Sequence, residues 1–326
     1  MKHQLKKIQE ILSSDIKTVM ISGHVNPDGD CVGSCMALSL YLKKNYPELD
    51  VNVVLEKPKE KLLFIKGTED ITSDLSEIKV APDLFVLLDA SDEGRLMEGG
   101  QELFENARYR ACIDHHEGST IKAEFECIHP KVGSCAEVLY ELLEVEKMDD
   151  AIAEAIFTGI IHDTGVMQYT NTRPRTYEIL STITRFNIDC AGIIYDSFKS
   201  RTAKESKILG FCLEKASFYM DGRIVVCVIN TDDMKRYEAS KADVGSVVAN
   251  LKLIQGTDIA IFAYPLDNQN FKISIRTSEK VDATILAGKF AGGGHDRAAG
   301  GSFAGTQEEA EKTIIKKAME AMGESC

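Results

Sequence analysis

The stretch "GHVNPDGDCVGS" sets His24, Asp28 and Asp30 in a His-x3-Asp-x-Asp array around a Pro-Asp-Gly turn. Turn chemistry alone accounts for Pro27, Asp28 and Gly29. It does not account for a histidine ending an apolar run, nor for a second acid two residues on. Imidazole and carboxylate donors this close together suit a divalent cation. Three more segments place acid or imidazole at the end of an apolar stretch: Asp89 in "DLFVLLDASD", Asp114, His115 and His116 in "RACIDHH", and Asp163 beside His162 in "TGIIHDTGVMQY". Of the seven histidines only His3 and His129 fall outside these segments and the late glycine loop "AGGGHDRAAGG".

So many donors exceed the needs of one ion, whereas two ions sharing a bridging carboxylate would use them all. A pair of ions roughly 3.5–4 Å apart activates a water and steadies the attacking and leaving oxygens of a phosphoryl displacement. Hydrolysis of a phosphate ester or anhydride is the implied chemistry. An oxygen-rich set with imidazole and no thiolate requirement points to Mn²⁺ over Zn²⁺ or Ca²⁺. In "CIDHHEGST" two adjacent histidines leave an apolar strand, and strand side chains alternate between faces. His115 and His116 are therefore expected to project differently and to do different work.

The elements that must hold these residues alternate in period. Short runs rich in Val, Ile and Leu ("IKTVMISGH", "VNVVLE", "DLFVLLDAS", "RYRACIDHH") alternate with helical stretches such as "CVGSCMALSLYLKKNY" and those at about 134–146 and 151–162. That order predicts an α/β fold with a doubly wound, mainly parallel sheet, whose ligands collect beyond the carboxyl ends of its strands. Ser134 and Glu137 read as the N-cap and the closing acid of a capping box. Past about residue 186 the pattern loosens, then resumes as a smaller α+β domain with a strand "RIVVCVIN" and two paired strands, "DIAIFAYPL" and "FKISIRT". The expected division is 1–188, a connection over 189–206, and 207–326.

Composition narrows the function classes. With 44% hydrophobic and 27% charged residues the chain is an ordinary globular protein. No apolar run reaches the about 18 residues of a membrane span. "MKHQLKKIQEILSS" reads as a basic amphipathic helix without a signal-peptide core, so a cytoplasmic protein is expected. Nine scattered cysteines without a CxxC pair imply neither a disulfide framework nor a zinc ribbon, and Cys31 and Cys35 read as buried thiols. A net charge of −13 disfavours long duplex nucleic acid, which needs a basic stripe, but leaves room for a short phosphorylated ligand. Neither a GxSxG elbow nor a GxxxxGK[ST] loop is present.

Taken in order, "HVNPDGD", "LLDASD", "DHH", "GIIHDTG" and "GGGHDRAAG" resemble the DHH phosphoesterases, in the branch with a DHH-associated C-terminal domain, and within it the nano-RNase/pAp-phosphatase group. The resemblance spans about residues 18 to 303. It implies a catalytic domain and a substrate-binding domain with the active site in the cleft between them. By the family pattern His24, Asp28 and Asp89 hold one metal; Asp30, Asp89, His115 and Asp163 hold the other, with Asp89 as the bridge. Asp114 then orients the imidazoles, and His116 faces the substrate phosphate as a hydrogen-bond donor or acid, so that His116, Asp114 and Asp89 form the catalytic set. In the C-terminal domain Arg276, Gly292, Gly293, Gly294, His295 and, with less support, Arg297 are implied substrate contacts, the bare backbone of the glycine run cradling a phosphate. Ala291 stands where relatives often carry Gly.

The implied cofactors are two Mn²⁺, with Mg²⁺ or Co²⁺ as substitutes. Implied partners are short single-stranded RNA or a nucleotide bisphosphate such as 3′-phosphoadenosine 5′-phosphate, no membrane, and a second copy in a homodimer. The implied reaction is attack of a two-metal-activated hydroxide on phosphorus. Weighed against it are a linear or cyclic dinucleotide phosphodiesterase, an inorganic pyrophosphatase or exopolyphosphatase, and a non-catalytic nucleotide-binding regulator.

Overall fold

The computed structural model describes residues 7–323 apart from 9, 13, 77, 79 and 268. Of the expected first helix, residues 1–6, 9 and 13 lie outside the described residues, while Lys7, Ile8 and Glu10 to Leu12 are helical. The chain divides into two compact units, Met1–Ser200 and Arg201–Cys326. That division falls inside the expected 189–206 connection. On its near side a helix Cys190–Ile194 continues into a π-helical turn Tyr195–Lys199, and Ile193 is buried in the first unit's core.

The first unit holds a five-stranded parallel sheet of β1 (Thr18–Ser22), β2 (Asp50–Val54), β3 (Leu84–Leu88), β4 (Tyr109–Asp114) and β5 (Phe125–Ile128). Their order is β2-β1-β3-β4-β5. All five residues of β3 are buried, as expected of a parallel strand covered on both faces. Its side chains alternate: Leu84, Val86 and Leu88 join the core beneath the helices Gly29–Asn45 and Asp150–Asp163, while Phe85 and Leu87 join Phe104 and Leu96 on the other face. The sheet is thus wound on both sides. Strand order reverses between β1 and β3, the position where open α/β sheets leave a crevice for ligands.

The second unit is a mixed six-stranded sheet of β6 (Ser217–Tyr219), β7 (Ile224–Val228), β8 (Ile259–Pro265), β9 (Asn270–Thr277), β10 (Gly293–His295) and β11 (Ala298–Ala304), ordered β10-β11-β9-β8-β7-β6. Only β7 and β8 run parallel among these neighbours. Ile259, Ile261, Ile273 and Ile275 face a core shared with Leu286 and Ile314; Ala260, Phe262, Val225 and Cys227 face another shared with Ile208 and Val247. The segment "GGGHDRAAGG", expected as a loop, is the β10–β11 hairpin.

Candidate metal centre

The carboxyl ends of β1, β3 and β4 deliver His24, Asp89 and Asp114 followed by His115, on both sides of the sheet's switch point. Asp28 caps the helix Gly29–Asn45, its Oδ1 accepting the N–H of Asp30 at 3.0 Å and of Cys31 at 3.2 Å. Asp163 is the last residue of the helix Asp150–Asp163.

Asp89 sits at the middle of this array. Its backbone is left-handed, φ +55°, a conformation that costs a non-glycine residue energy and that persists where surrounding structure imposes it. Its N–H still pairs with Ile113 O at 3.1 Å, so the twist acts on the side chain rather than the ladder. The two oxygens of its carboxylate face different histidines. Oδ2 lies 3.5 Å from His24 Nε2, and Oδ1 lies 3.5 Å from His115 Nε2. Around His24 Nε2 stands Asp28 Oδ1 at 3.8 Å. Around His115 Nε2 stand Asp163 Oδ2 at 2.9 Å and Asp30 Oδ2 at 3.8 Å.

Each histidine presents the same edge. His24 Nδ1 lies 2.8 Å from Val25 O and His115 Nδ1 lies 3.3 Å from Val132 O. A backbone carbonyl on Nδ1 fixes the tautomer that leaves Nε2 as the ligand atom. Asp89 Oδ1 and His115 Nε2 are buried and make no well-aligned hydrogen bond among the described residues, although carboxylate oxygens crowd His115 Nε2, an arrangement that is costly unless something else binds them. A cation held by carboxylate oxygens and imidazole nitrogens fits both atoms and the donor set.

The electrostatics ask for positive charge. Burial works against protonation of His24, but Asp28 and Asp89 outweigh it and raise the imidazole to about 11. Burial is likewise overcome at His115 by Asp163 and Asp89, again to about 11. Burial would raise Asp28 and Asp89, yet the histidines beside them hold both below the usual carboxylate range. Asp30 is pushed well up by complete burial and by repulsion from Asp89 and Asp163, and Asp163 is raised by burial.

Asp30 also has a second task. Its Oδ2 accepts Cys135 N at 2.6 Å and its Oδ1 accepts Ala136 N at 2.9 Å, the first amides of the helix Cys135–Tyr140. An N-terminal turn is a ready anion site. Ser134 caps this helix as expected, its Oγ accepting Glu137 N at 3.2 Å. The Glu137 carboxylate does not close a box; it turns to Thr176 Oγ1, 3.0 Å away. Cys31, read from sequence as a plain buried thiol, groups with His24 and Asp89, their ligand atoms all within 4.8 Å. Its place one residue after Asp30, in the helix's first turn, was the available signal.

His115 and His116 do not diverge. β4 ends at Asp114, so strand alternation stops there, and the two rings lie side by side with centroids 4.6 Å apart. Asp114 Oδ1 accepts the backbone N–H of His115 at 2.7 Å and of His116 at 3.2 Å, and lies 2.8 Å from His116 Nδ1. It orients the ring of His116 and only the backbone of His115. That contact, against the pull of burial, raises the His116 imidazole. His162 packs against Phe198, centroids 4.7 Å apart, and burial lowers it to about 4.

In the second unit the register places Arg276 opposite Ala298 and Ala298 opposite His295. Residues directly opposite in antiparallel strands share a face, so Arg276 and His295 project on one side, two strand spacings or about 10 Å apart. Arg276 Nη1 donates to its neighbour Ile275 O at 3.0 Å. Arg297 Nη1 donates to Ser278 O at 3.0 Å and Val281 O at 3.2 Å, which makes it a brace for the turn after β9. The glycine run is an edge strand: Gly292 N bonds Ala287 O at 3.1 Å, and a Cβ at Gly292 would lie 1.9 Å from Gly300 O. Gly293 has open space instead, with nothing within 4 Å of a Cβ. Ala291 adopts φ +49°, a left-handed conformation easier for glycine.

Residues 18–160 match the model for the DHH family, N-terminal domain, and residues 221–324 match that for the DHHA1 domain. The chain thus carries an N-terminal domain of the DHH family followed by a DHHA1 domain, the make-up of a metal-dependent phosphoesterase. It is 23% identical over 322 residues to the bifunctional oligoribonuclease and PAP phosphatase NrnA of Thermus thermophilus, covering 98% of this chain and 94% of that one. Over 291 residues it is 24% identical to the protein of the same name from Bacillus subtilis, covering 88% and 89%. The crystal structure of an exopolyphosphatase-related protein from Bacteroides fragilis superposes with a TM-score of 0.88 at 24% identity, covering 98% and 96%. That last likeness concerns the fold. No helix among the described residues is long and apolar enough to cross a membrane.

Proposed function

We propose that the protein is a cytoplasmic, Mn²⁺-dependent phosphoesterase that hydrolyses short oligoribonucleotides, 3′-phosphoadenosine 5′-phosphate, or both, at a centre of two ions. One observation carries the reading: the Asp89 carboxylate turns one oxygen to His24 and the other to His115, each 3.5 Å away, as a bridge between two donor sets does. Relatives named as oligoribonuclease and PAP phosphatase over most of their length support the substrate class.

In this reading His24, Asp28 and Asp89 hold one ion, and Asp30, Asp89, His115 and Asp163 the other. Bound ions supply Lewis acidity, lowering the pKa of water and neutralising phosphoryl charge. The chain's own groups do the rest. His116, steadied by Asp114, gives a proton or hydrogen bond to the leaving oxygen. Arg276 grips a phosphate with its planar fork, and Gly293 leaves room for one beside the β10 edge. A surface of net charge −13 keeps long polyanions away.

The test is a competition with Mn²⁺ at moderate salt among a labelled RNA dinucleotide, a long RNA, 3′-phosphoadenosine 5′-phosphate and pyrophosphate. Early loss of the dinucleotide or the bisphosphate, with the long RNA lagging, is expected. Pyrophosphate consumed first, or turnover of none, contradicts the reading.

A further inference from the structure

Directly after Asp163 the chain does something expensive. Gly165, Val166 and Met167 take φ of +55°, +56° and +60° in succession. Two of these are not glycine and one is β-branched, where a left-handed backbone is a genuine outlier. Strain of this kind is kept where it serves a site. The turn folds the chain back on itself: Val166 N bonds Ile161 O at 2.8 Å, and Tyr169 N bonds Thr164 O at 3.0 Å. Asn171 Nδ2 then ties the returning chain to Asp163 O at 3.0 Å and Gly133 O at 2.8 Å.

The turn holds up one aromatic ring. A Cβ at Gly165 would lie 2.4 to 2.7 Å from Cζ, Cε2 and Cε1 of Tyr169, so the ring rests directly against Gly165. Tyr169 is nevertheless 60% exposed. The ring is backed on one side, open on the other, and sits on the residue two places after Asp163. An exposed aromatic face close in the chain to a candidate metal ligand is what an unpaired base stacks on, whatever its sequence.

We propose that Tyr169 is a stacking platform for a nucleobase of the substrate, a role that rests on the nucleotide reading above. It determines specificity for base-bearing phosphoesters and takes no part in the chemical step. The strained turn sets where the ring stands, against Gly165 on one side and open on the other.

The experiment compares an RNA dinucleotide with a dinucleotide of the same backbone lacking both bases, using wild-type protein, Tyr169→Ala and Tyr169→Phe with Mn²⁺. Melting temperatures of the three should agree, because the side chain is exposed. Tyr169→Ala is expected to raise KM for the base-bearing substrate about ten-fold, the effect of one lost base–aromatic stack, with kcat little changed. Tyr169→Phe restores KM, and the baseless substrate does not distinguish the proteins. Equal losses on both substrates, or no loss on either, overturn the platform. Wild-type protein inert towards the dinucleotide overturns the platform, and if it also leaves 3′-phosphoadenosine 5′-phosphate intact the nucleotide reading itself falls, a result seen without any variant.

Discussion

Asp114 Oδ1 lies 2.8 Å from His116 Nδ1, and Asp114 itself has no exposed surface. A buried carboxylate on one ring nitrogen fixes the other outward, towards whatever the centre binds. His116→Ala should therefore lower kcat by about 10²- to 10⁴-fold, the usual worth of a positioned acid or base, with KM nearly unchanged. Asp114→Asn should lower kcat less, because an amide oxygen still accepts from the ring. Steady-state kinetics on the dinucleotide checks both; a change confined to KM would remove His116 from the chemical step.

Asp30 and Asp163 both face His115, but only Asp30 also holds helix amides. Asp30→Asn sets an NH2 group against Cys135 N or Ala136 N, a buried mismatch worth about 1–3 kcal/mol. Asp163→Asn disturbs no such pair and should cost less than about 1 kcal/mol, since hydrogen bonds in partly exposed places are worth little. Urea unfolding in excess chelator separates the two; equal losses would mean that Asp30 serves the metal alone.

The pH dependence follows from the raised histidines. Their folded values of about 11 exceed the ordinary 6.5. The stability they lend the metal-free protein is thus fully present below about 6.5 and is lost as pH climbs through about 11. An incoming ion must displace those protons, so Mn²⁺ affinity should rise with pH and binding should release protons. Calorimetric titration in buffers of different ionisation heat measures the release; proton uptake, or affinity independent of pH, would contradict it.

The glycine run separates fold from function. Gly292→Ala drives a Cβ into Gly300 O and should destabilise by about 1–3 kcal/mol, as overpacking does. Gly293→Ala meets open space, so the melting temperature should hold. A rise in KM with that variant places the substrate against the β10 edge; unchanged kinetics would remove Gly293 from the phosphate contacts.

Much of the centre could be read from sequence because β1, β3 and β4 are apolar runs ended by chemistry-bearing residues, so Asp89 and Asp114 mark strand ends. What was hidden depended on backbone detail. His115 and His116 were expected apart because alternation was extended one residue too far past Asp114. Asp30 looked like a ligand only, since its bonds to Cys135 N and Ala136 N join residues over a hundred positions apart. The β10–β11 hairpin has no β-branched residue to announce it. Tyr169 drew no notice because Val166 and Met167 give no sign of left-handed backbone.

A bridging role for Asp89 is tested most directly by counting ions. Metal-stripped protein titrated with Mn²⁺ should bind two ions per chain and show the spectrum of a spin-coupled pair by electron paramagnetic resonance, and Asp89→Asn should lose that coupling. A single uncoupled ion per wild-type chain would contradict the two-ion centre on which the account rests.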